Sequence, residues 1–117
     1  KQVDLVQLCK AIGVDRVKVV DPFDIAEMEK TIKEELAAEE PSVIISQRPC
    51  ALLKSVRYTG KVVVDQDVCT GCKMCMRIGC PAIGCKDGKI TIDHTQCNGC
   101  GLCLKVCKFN AMKKVGE

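Results

Sequence analysis

Aromatic side chains are nearly missing from this chain, which has one tyrosine, two phenylalanines and no tryptophan among 117 residues. Proteins that grip single-stranded nucleic acid do so largely by stacking bases on aromatic faces. Phe23, Tyr58 and Phe109 offer little for that purpose, so nucleic acid is not an expected partner. No apolar run approaches the ~20 residues that a membrane-spanning helix needs, and no signal peptide opens the chain, so no membrane partner is expected. Histidine is scarcer still: His94 stands alone and reads as an exposed turn residue rather than a ligand. The first residue is Lys1 rather than methionine, which fits a piece of a longer polypeptide.

Cysteine, by contrast, is abundant: the chain has 11. Eight crowd into one stretch, as Cys69-Thr-Gly-Cys72-Lys-Met-Cys75, then Cys80-Pro81, then Cys97-Asn-Gly-Cys100-Gly-Leu-Cys103, and finally Cys107. The stretch is an internal repeat, offset by 28 for the first three cysteines (69→97, 72→100, 75→103) and by 27 for the fourth (80→107). Two C-x2-C-x2-C triplets, each trailed by a fourth cysteine, resemble the run with which bacterial-type ferredoxins hold two [4Fe–4S] clusters. A tight loop can wrap three irons of a cube, and the fourth must be met from outside the loop. Gly71, Gly99 and Gly101 lie inside the loops, where backbone must approach closely or adopt positive φ. In the two-cluster pattern the fourth cysteine of each run serves the other cluster. The expected metal ligands are therefore Cys69, Cys72, Cys75 and Cys107 for one cluster, and Cys97, Cys100, Cys103 and Cys80 for the other.

Two details depart from the simple run. Four residues (Met76 to Gly79) precede Cys80 where three are usual, and Gly79 can absorb the extra one as a bulge; Lys108 follows Cys107 where proline is usual. Structural zinc is the competing reading of paired C-x2-C motifs, but zinc takes four ligands, usually as two separated pairs rather than triplets. A disulfide framework needs a secreted setting that nothing in the chain suggests. So many thiols beside clusters point to a reducing, cytoplasmic location. Cys9, Cys50 and Cys85 are too scattered for another site and read as small apolar side chains.

Charge divides the chain. Residues 1–60 carry 9 basic and 10 acidic side chains, net −1, and residues 61–117 carry 9 basic and 5 acidic, net +4. A basic cluster-bearing half suits the steering of an acidic redox partner.

In chain order, Leu5, Leu8, Cys9 and Ile12 share one helical face, with Gly13 as a C-terminal cap. Val17 to Val20 reads as a strand. Asp24 with Glu27 resembles a capping box that starts a helix running to about Glu40, with Ile25, Met28, Ile32 and Leu36 buried, Glu29 and Lys33 paired outside, and Pro41 as the stop. Ser42 to Ser46 is a second, continuously apolar strand, so the β-α-β portion implies parallel pairing. The loops at Asp21 to Asp24 and Gln47 to Cys50 lie at strand ends, where such sheets place ligands, but ordinary turn chemistry is the favoured reading, with both aspartates capping. Residues 51–60 form a linker. Val62 to Val64 is a strand, Lys73 to Ile78 a short helix, and Ala82 to Cys85 with Lys89 to Ile92 a hairpin around Asp87-Gly88. Leu102 to Val106 is a second short helix and Ala111 to Lys114 a closing strand. Ile83, Ile90, Ile92, Leu102, Val106 and Phe109 are expected to wall the clusters from water.

Both halves together resemble one family, the C-terminal part of the α subunit of indolepyruvate ferredoxin oxidoreductase. The resemblance rests on Leu8-Cys9-Lys10-Ala11-Ile12-Gly13-Val14, Val20-Asp21-Pro22, Pro41-Ser42-Val43-Ile44-Ile45, Arg48-Pro49-Cys50, and Cys69-x2-Cys72-x2-Cys75-x4-Cys80-Pro81-Ala82-Ile83. It implies an α+β chain: residues 1–50 a βαβ piece at the end of an α/β thiamine-diphosphate domain, 51–60 a linker, and 61–117 a two-[4Fe–4S] ferredoxin-like domain. It implies an enzyme that uses thiamine diphosphate and magnesium, oxidatively decarboxylating aryl pyruvates with coenzyme A to give aryl-acetyl-CoA, carbon dioxide and reduced ferredoxin. Its partners would be the rest of the α subunit, a β subunit and an external acidic ferredoxin. The Gly-Asp-Gly…Asn segment that binds magnesium and diphosphate in such domains is absent, so only the eight cysteines carry over. No catalytic residue and no thiamine ligand does. Cluster potentials would be low, about −400 mV by comparison with plant-type ferredoxins. Two other readings stay open on the residues alone: a stand-alone electron-transfer ferredoxin, and a zinc-bound interaction module.

Overall fold

A computed structural model describes residues 1–116. The chain is α+β and divides into two compact units, residues 1–50 and 51–117, so residues 51–60 group with the second.

The first unit runs α1 (Leu5–Ala11), β1 (Arg16–Val20), α2 (Ile25–Leu36) and β2 (Ser42–Ser46). Each helix starts on an aspartate. Asp4 accepts hydrogen bonds from the Val6 and Gln7 amides at 3.0 and 3.1 Å, and Asp24 accepts from the Glu27 amide at 3.2 Å, so that orphan donors of the first turn find partners. β1 and β2 pair in parallel, Arg16 opposite Ser42 through Val20 opposite Ser46.

The expected core face of α2 is corrected here. Ile25, Ile32 and Leu36 are exposed, and Thr31 and Glu35 are the helix's buried residues. Two strands make a narrow platform, and the helix turns onto it the edge where Glu35 can reach Arg16. Arg16 Nε donates to Glu35 Oε2 at 3.0 Å and Nη2 to Oε1 at 3.1 Å, a two-pronged ion pair in which the Glu35 side chain is 3% exposed. The helix also stops at Leu36 rather than near Glu40, with Ala37 as its C-cap, a turn before Pro41 can act. The Leu5, Leu8 and Ile12 stripe of α1 is likewise exposed. Glu29 and Lys33 pair at 2.6 Å as expected.

The second unit runs β3 (Lys61–Val64), a 3-10 turn (Met74–Ile78), β4 (Ile83–Lys86), β5 (Lys89–Ile92), α3 (Leu102–Val106) and β6 (Met112–Val115). β3 pairs antiparallel with β6, and β4 with β5. Asp87 (φ 50) and Gly88 (φ 77) both take left-handed backbone at the hairpin tip, the geometry that two-residue hairpins favour. Val62, Ile83, Ile90 and Met112 form the core with Cys75 and Cys103. Cysteine side chains are thus part of the only apolar cluster this unit has among the described residues, and what fills the space between them decides how well it packs.

Candidate metal centre

Each cysteine loop is launched by an aspartate that the sequence reading passed over. The Cys69 amide donates to the Asp65 carbonyl at 2.9 Å, and the Cys97 amide to the Asp93 carbonyl at 3.0 Å. The aspartate side chains close the same turn from within: Asp65 Oδ1 accepts from the Asp67 amide at 3.2 Å and Asp93 Oδ1 from the Thr95 amide at 2.9 Å. Their own amides donate to the Ala111 and Ala82 carbonyls, at 2.7 and 2.8 Å, which anchors each loop to the segment after the other run's fourth cysteine. The signal was the repeat itself, since Asp65 and Asp93 stand 28 apart and four residues before a first cysteine.

Within the loops, Gly71 and Gly99 occupy matching places at positive φ (68 and 76). A Cβ on Gly71 would run into the Gly88 carbonyl oxygen, and one on Gly99 into the Gly60 carbonyl oxygen. After each loop the chain makes one short helical segment, and the two differ. The second run continues as α3 directly to Cys107, while the first takes the 3-10 turn and then Gly79, at φ 70, before Cys80. That left-handed step accommodates the extra residue of the first run.

The eight cysteines separate into two quartets around two spaces. Cys80, Cys97, Cys100 and Cys103 line a cavity of about 290 Å³ together with Val62, Ile83 and Ile92. Cys69, Cys72, Cys75 and Cys107 line a much tighter one, about 20 Å³, with Ile90, Phe109 and Met112. Each quartet holds three cysteines of one run and the fourth of the other. Phe109 borders the second space but is 47% exposed, an incomplete lid rather than the expected wall. Burial pushes the Cys103 thiol up to about 11, and the neighbouring Cys100, Cys97 and Cys80 push the same way. Cys75 is raised chiefly by burial, with Cys72, Cys107 and Cys69 adding to it. Thiols so placed bind as thiolates only to a cationic partner that displaces their protons.

Among the described residues, no three His, Cys, Asp or Glu side chains converge tightly enough for a single metal ion. Four thiols spread over the walls of a space suit a group with several metal atoms, each met by one sulfur. The donor chemistry fits an iron–sulfur cluster in both quartets, and the first has room for a polyatomic group. Of the three cysteines outside the quartets, Cys50 and Cys85 are exposed and Cys9 is half-buried. His94, exposed as expected, is within hydrogen-bond distance of the Val62 carbonyl, 3.1 Å from its Nε2. In the first unit Asp21 accepts from the Phe23 amide at 2.8 Å and pairs with Arg48 at 2.6 Å, while the Arg48 guanidinium lies 3.8 Å from the centre of the Phe23 ring.

Residues 89–112 match the family model of a 4Fe–4S binding domain, a span that takes in Cys97, Cys100, Cys103 and Cys107. All of the chain aligns with indolepyruvate oxidoreductase subunit IorA of Pyrococcus horikoshii, at 42% identity over 126 aligned positions. The chain is homologous to a segment of IorA. The IorA of Methanothermobacter thermautotrophicus is 32% identical over 99% of the chain, and that of Thermococcus kodakarensis is 43% identical over 71%. The chain spans about a fifth of IorA, 19% of the Pyrococcus and Methanothermobacter subunits. These relatives are named as oxidoreductase subunits, and residues 89–112 of the chain carry the 4Fe–4S match. No helix among the described residues is long and apolar enough to cross a membrane.

Proposed function

We propose that this chain is the electron-transfer portion of a thiamine-dependent 2-oxoacid oxidoreductase acting on aryl pyruvates such as indolepyruvate. Cys69, Cys72, Cys75 and Cys107 hold one [4Fe–4S] cluster, and Cys80, Cys97, Cys100 and Cys103 hold the other. The observation that carries this reading is the sorting of the cysteines into two quartets around two spaces, each drawing its fourth member from the other run. The homology to IorA supports the rest: residues 1–50 as the end of a thiamine-diphosphate domain, thiamine diphosphate and magnesium held by a longer protein, and a coenzyme A-dependent reaction. The same reading carries with it a β subunit, an external acidic ferredoxin and a cytoplasmic setting.

Bound clusters supply acceptance and release of single electrons. The protein's share is to hold and shield them. Val62 and Ile90, each 1% exposed, with Met112 form the apolar floor that keeps water from the sulfurs. The two Asp-initiated turns fix where each loop begins, and the glycines bring loop backbone close to its neighbours. Cys72 is exposed, which opens its quartet toward an incoming partner. The net +4 of residues 61–117 suits an acidic one.

Anaerobic purification followed by iron and acid-labile sulfide analysis is the test. Two clusters require about eight irons and eight sulfides per chain, with electron paramagnetic resonance of the reduced protein showing two interacting centres. Stoichiometric zinc without sulfide would overturn the reading in favour of an interaction module.

A further inference from the structure

From the first cysteine of each run to the residue after its fourth, the two halves of the repeat differ in charge at two matched places, and both differences favour the same quartet; ahead of the runs, Asp67 opposite Thr95 is an acidic difference on the side of Cys69. Cys72 is followed by Lys73, whereas its repeat partner Cys100 is followed by Gly101. Cys107 is followed by Lys108, whereas Cys80 is followed by Pro81. Within those limits the remaining basic residues cancel, because Arg77 and Lys105 stand 28 apart. Lys73 and Lys108 thus both adjoin thiols of the Cys107 quartet, and the Cys80 quartet has neutral residues in the equivalent places.

Lys73 occupies its place at a conformational cost. Its φ is 61, left-handed backbone that a side-chain-bearing residue adopts unwillingly, and Gly101 takes the same backbone at φ 78 without penalty. Lys73 borders the space lined by Cys69, Cys72, Cys75 and Cys107, as Gly101 borders the other. No carboxylate pairs with it among the described residues. Glycine would serve the turn at least as well, so the turn does not explain the lysine.

We propose that Lys73, seconded by Lys108, makes the centre of the Cys107 quartet the more easily reduced of the two, so that electrons pass from the Cys80 quartet to it. The step is one electron: the reduced centre at Cys80, Cys97, Cys100 and Cys103 is oxidised, the centre at Cys69, Cys72, Cys75 and Cys107 is reduced, and no bond or proton moves. Reduction adds a negative charge, which a nearby ammonium stabilises and the uncharged neighbourhood of Gly101 does not. The same quartet includes the exposed Cys72, so the better acceptor is also the one nearer to solvent. This inference rests on the two-cluster reading above.

Redox titration of the full chain, purified anaerobically, with dithionite as reductant and electron paramagnetic resonance as readout, tests it. In Lys73→Gln and Lys73→Gly the reduced-to-oxidised ratio of one centre, at a fixed potential, should fall about tenfold, which is 59 mV for a one-electron couple. The other centre should hold still. Lys73→Arg should restore the wild-type value. Gly101→Lys should raise the second centre by a similar step, and it has room to do so, since a Cβ there meets nothing within 4 Å. High salt should shrink every shift. If iron and sulfide are present and none of the four variants moves one centre against the other, the inference is overturned while the cluster reading stands. If iron and sulfide are absent, the cluster reading itself fails.

Discussion

Asp65 and Asp93 give each cysteine loop its starting geometry, and the ionisation of their carboxylates bears on how firmly that geometry holds. Lys113, 2.8 Å away, together with the Asp67 amide holds the Asp65 carboxyl below the usual carboxylate range. The Thr95 hydroxyl and amide, with Gln96, do the same for Asp93. A depressed folded-state value means that the stabilisation is complete above the unfolded value of about 3.9 and is lost as pH falls through the folded one. Acid should therefore loosen both loops below about pH 4 and not near neutrality. In Asp65→Asn and Asp93→Asn the acid limb of a thermal-melt series should flatten, and an unchanged limb would remove these carboxylates from the account. Gly99 sets the other constraint at this scale. Gly99→Ala must place a methyl against the Gly60 carbonyl oxygen in left-handed backbone, a loss of about 2–4 kcal/mol in urea unfolding. The cysteines and glycines were legible in the sequence because their chemistry or backbone freedom is rare. The aspartates were not, because aspartate is ordinary at turns and only the 28-residue offset marks these two.

Elements are where periodicity and packing part company. Short pieces with one possible role read correctly: β2 at Ser42–Ser46, α3 at Leu102–Val106 and the Asp87-Gly88 hairpin lie where turn chemistry and β-branching put them. Helix α2 did not. Its apolar spacing of Ile25, Met28, Ile32 and Leu36 marks one stripe, yet the residues that the helix buries are Thr31 and Glu35, the latter against Arg16 of β1. Periodicity identifies the stripe that is apolar; it cannot say whether an adjacent layer exists to cover it. The helix is held instead by the Arg16–Glu35 pair, in which the guanidinium lowers the Glu35 carboxyl below its ordinary value. Substitution should expose the difference. Leu36→Ser, at 81% exposure, should change the stability of the first unit by less than about 0.5 kcal/mol. Glu35→Ala should cost clearly more than that in the same unfolding measurement, because Arg16 loses both of its short hydrogen bonds to Glu35. The reverse ranking would mean that the apolar stripe, not the ion pair, seats the helix.

At the scale of the whole molecule, the exchange of fourth cysteines ties two sequence repeats into one folding unit. Cys80 is five residues from Cys75, yet it borders the space lined by Cys97, Cys100 and Cys103, and Cys107 borders the space lined by Cys69, Cys72 and Cys75. The Ala111 and Ala82 carbonyls that anchor the loops cross between the runs in the same sense. Neither repeat can therefore complete a cysteine quartet, or its share of the Val62–Ile90–Met112 core, without the other. The consequence is a pairing of phenotypes that sequence distance alone would not suggest. Cys80→Ser should remove the same resonance that Cys100→Ser removes, and Cys107→Ser the one that Cys72→Ser removes, each variant retaining about half of the iron at first. On prolonged incubation the surviving centre should decay as well, because the emptied quartet leaves Cys75 or Cys103 unligated in the shared core. Were Cys80→Ser instead to match Cys72→Ser, each run would be closing on itself, and the two repeats would be neighbours rather than halves of one structure.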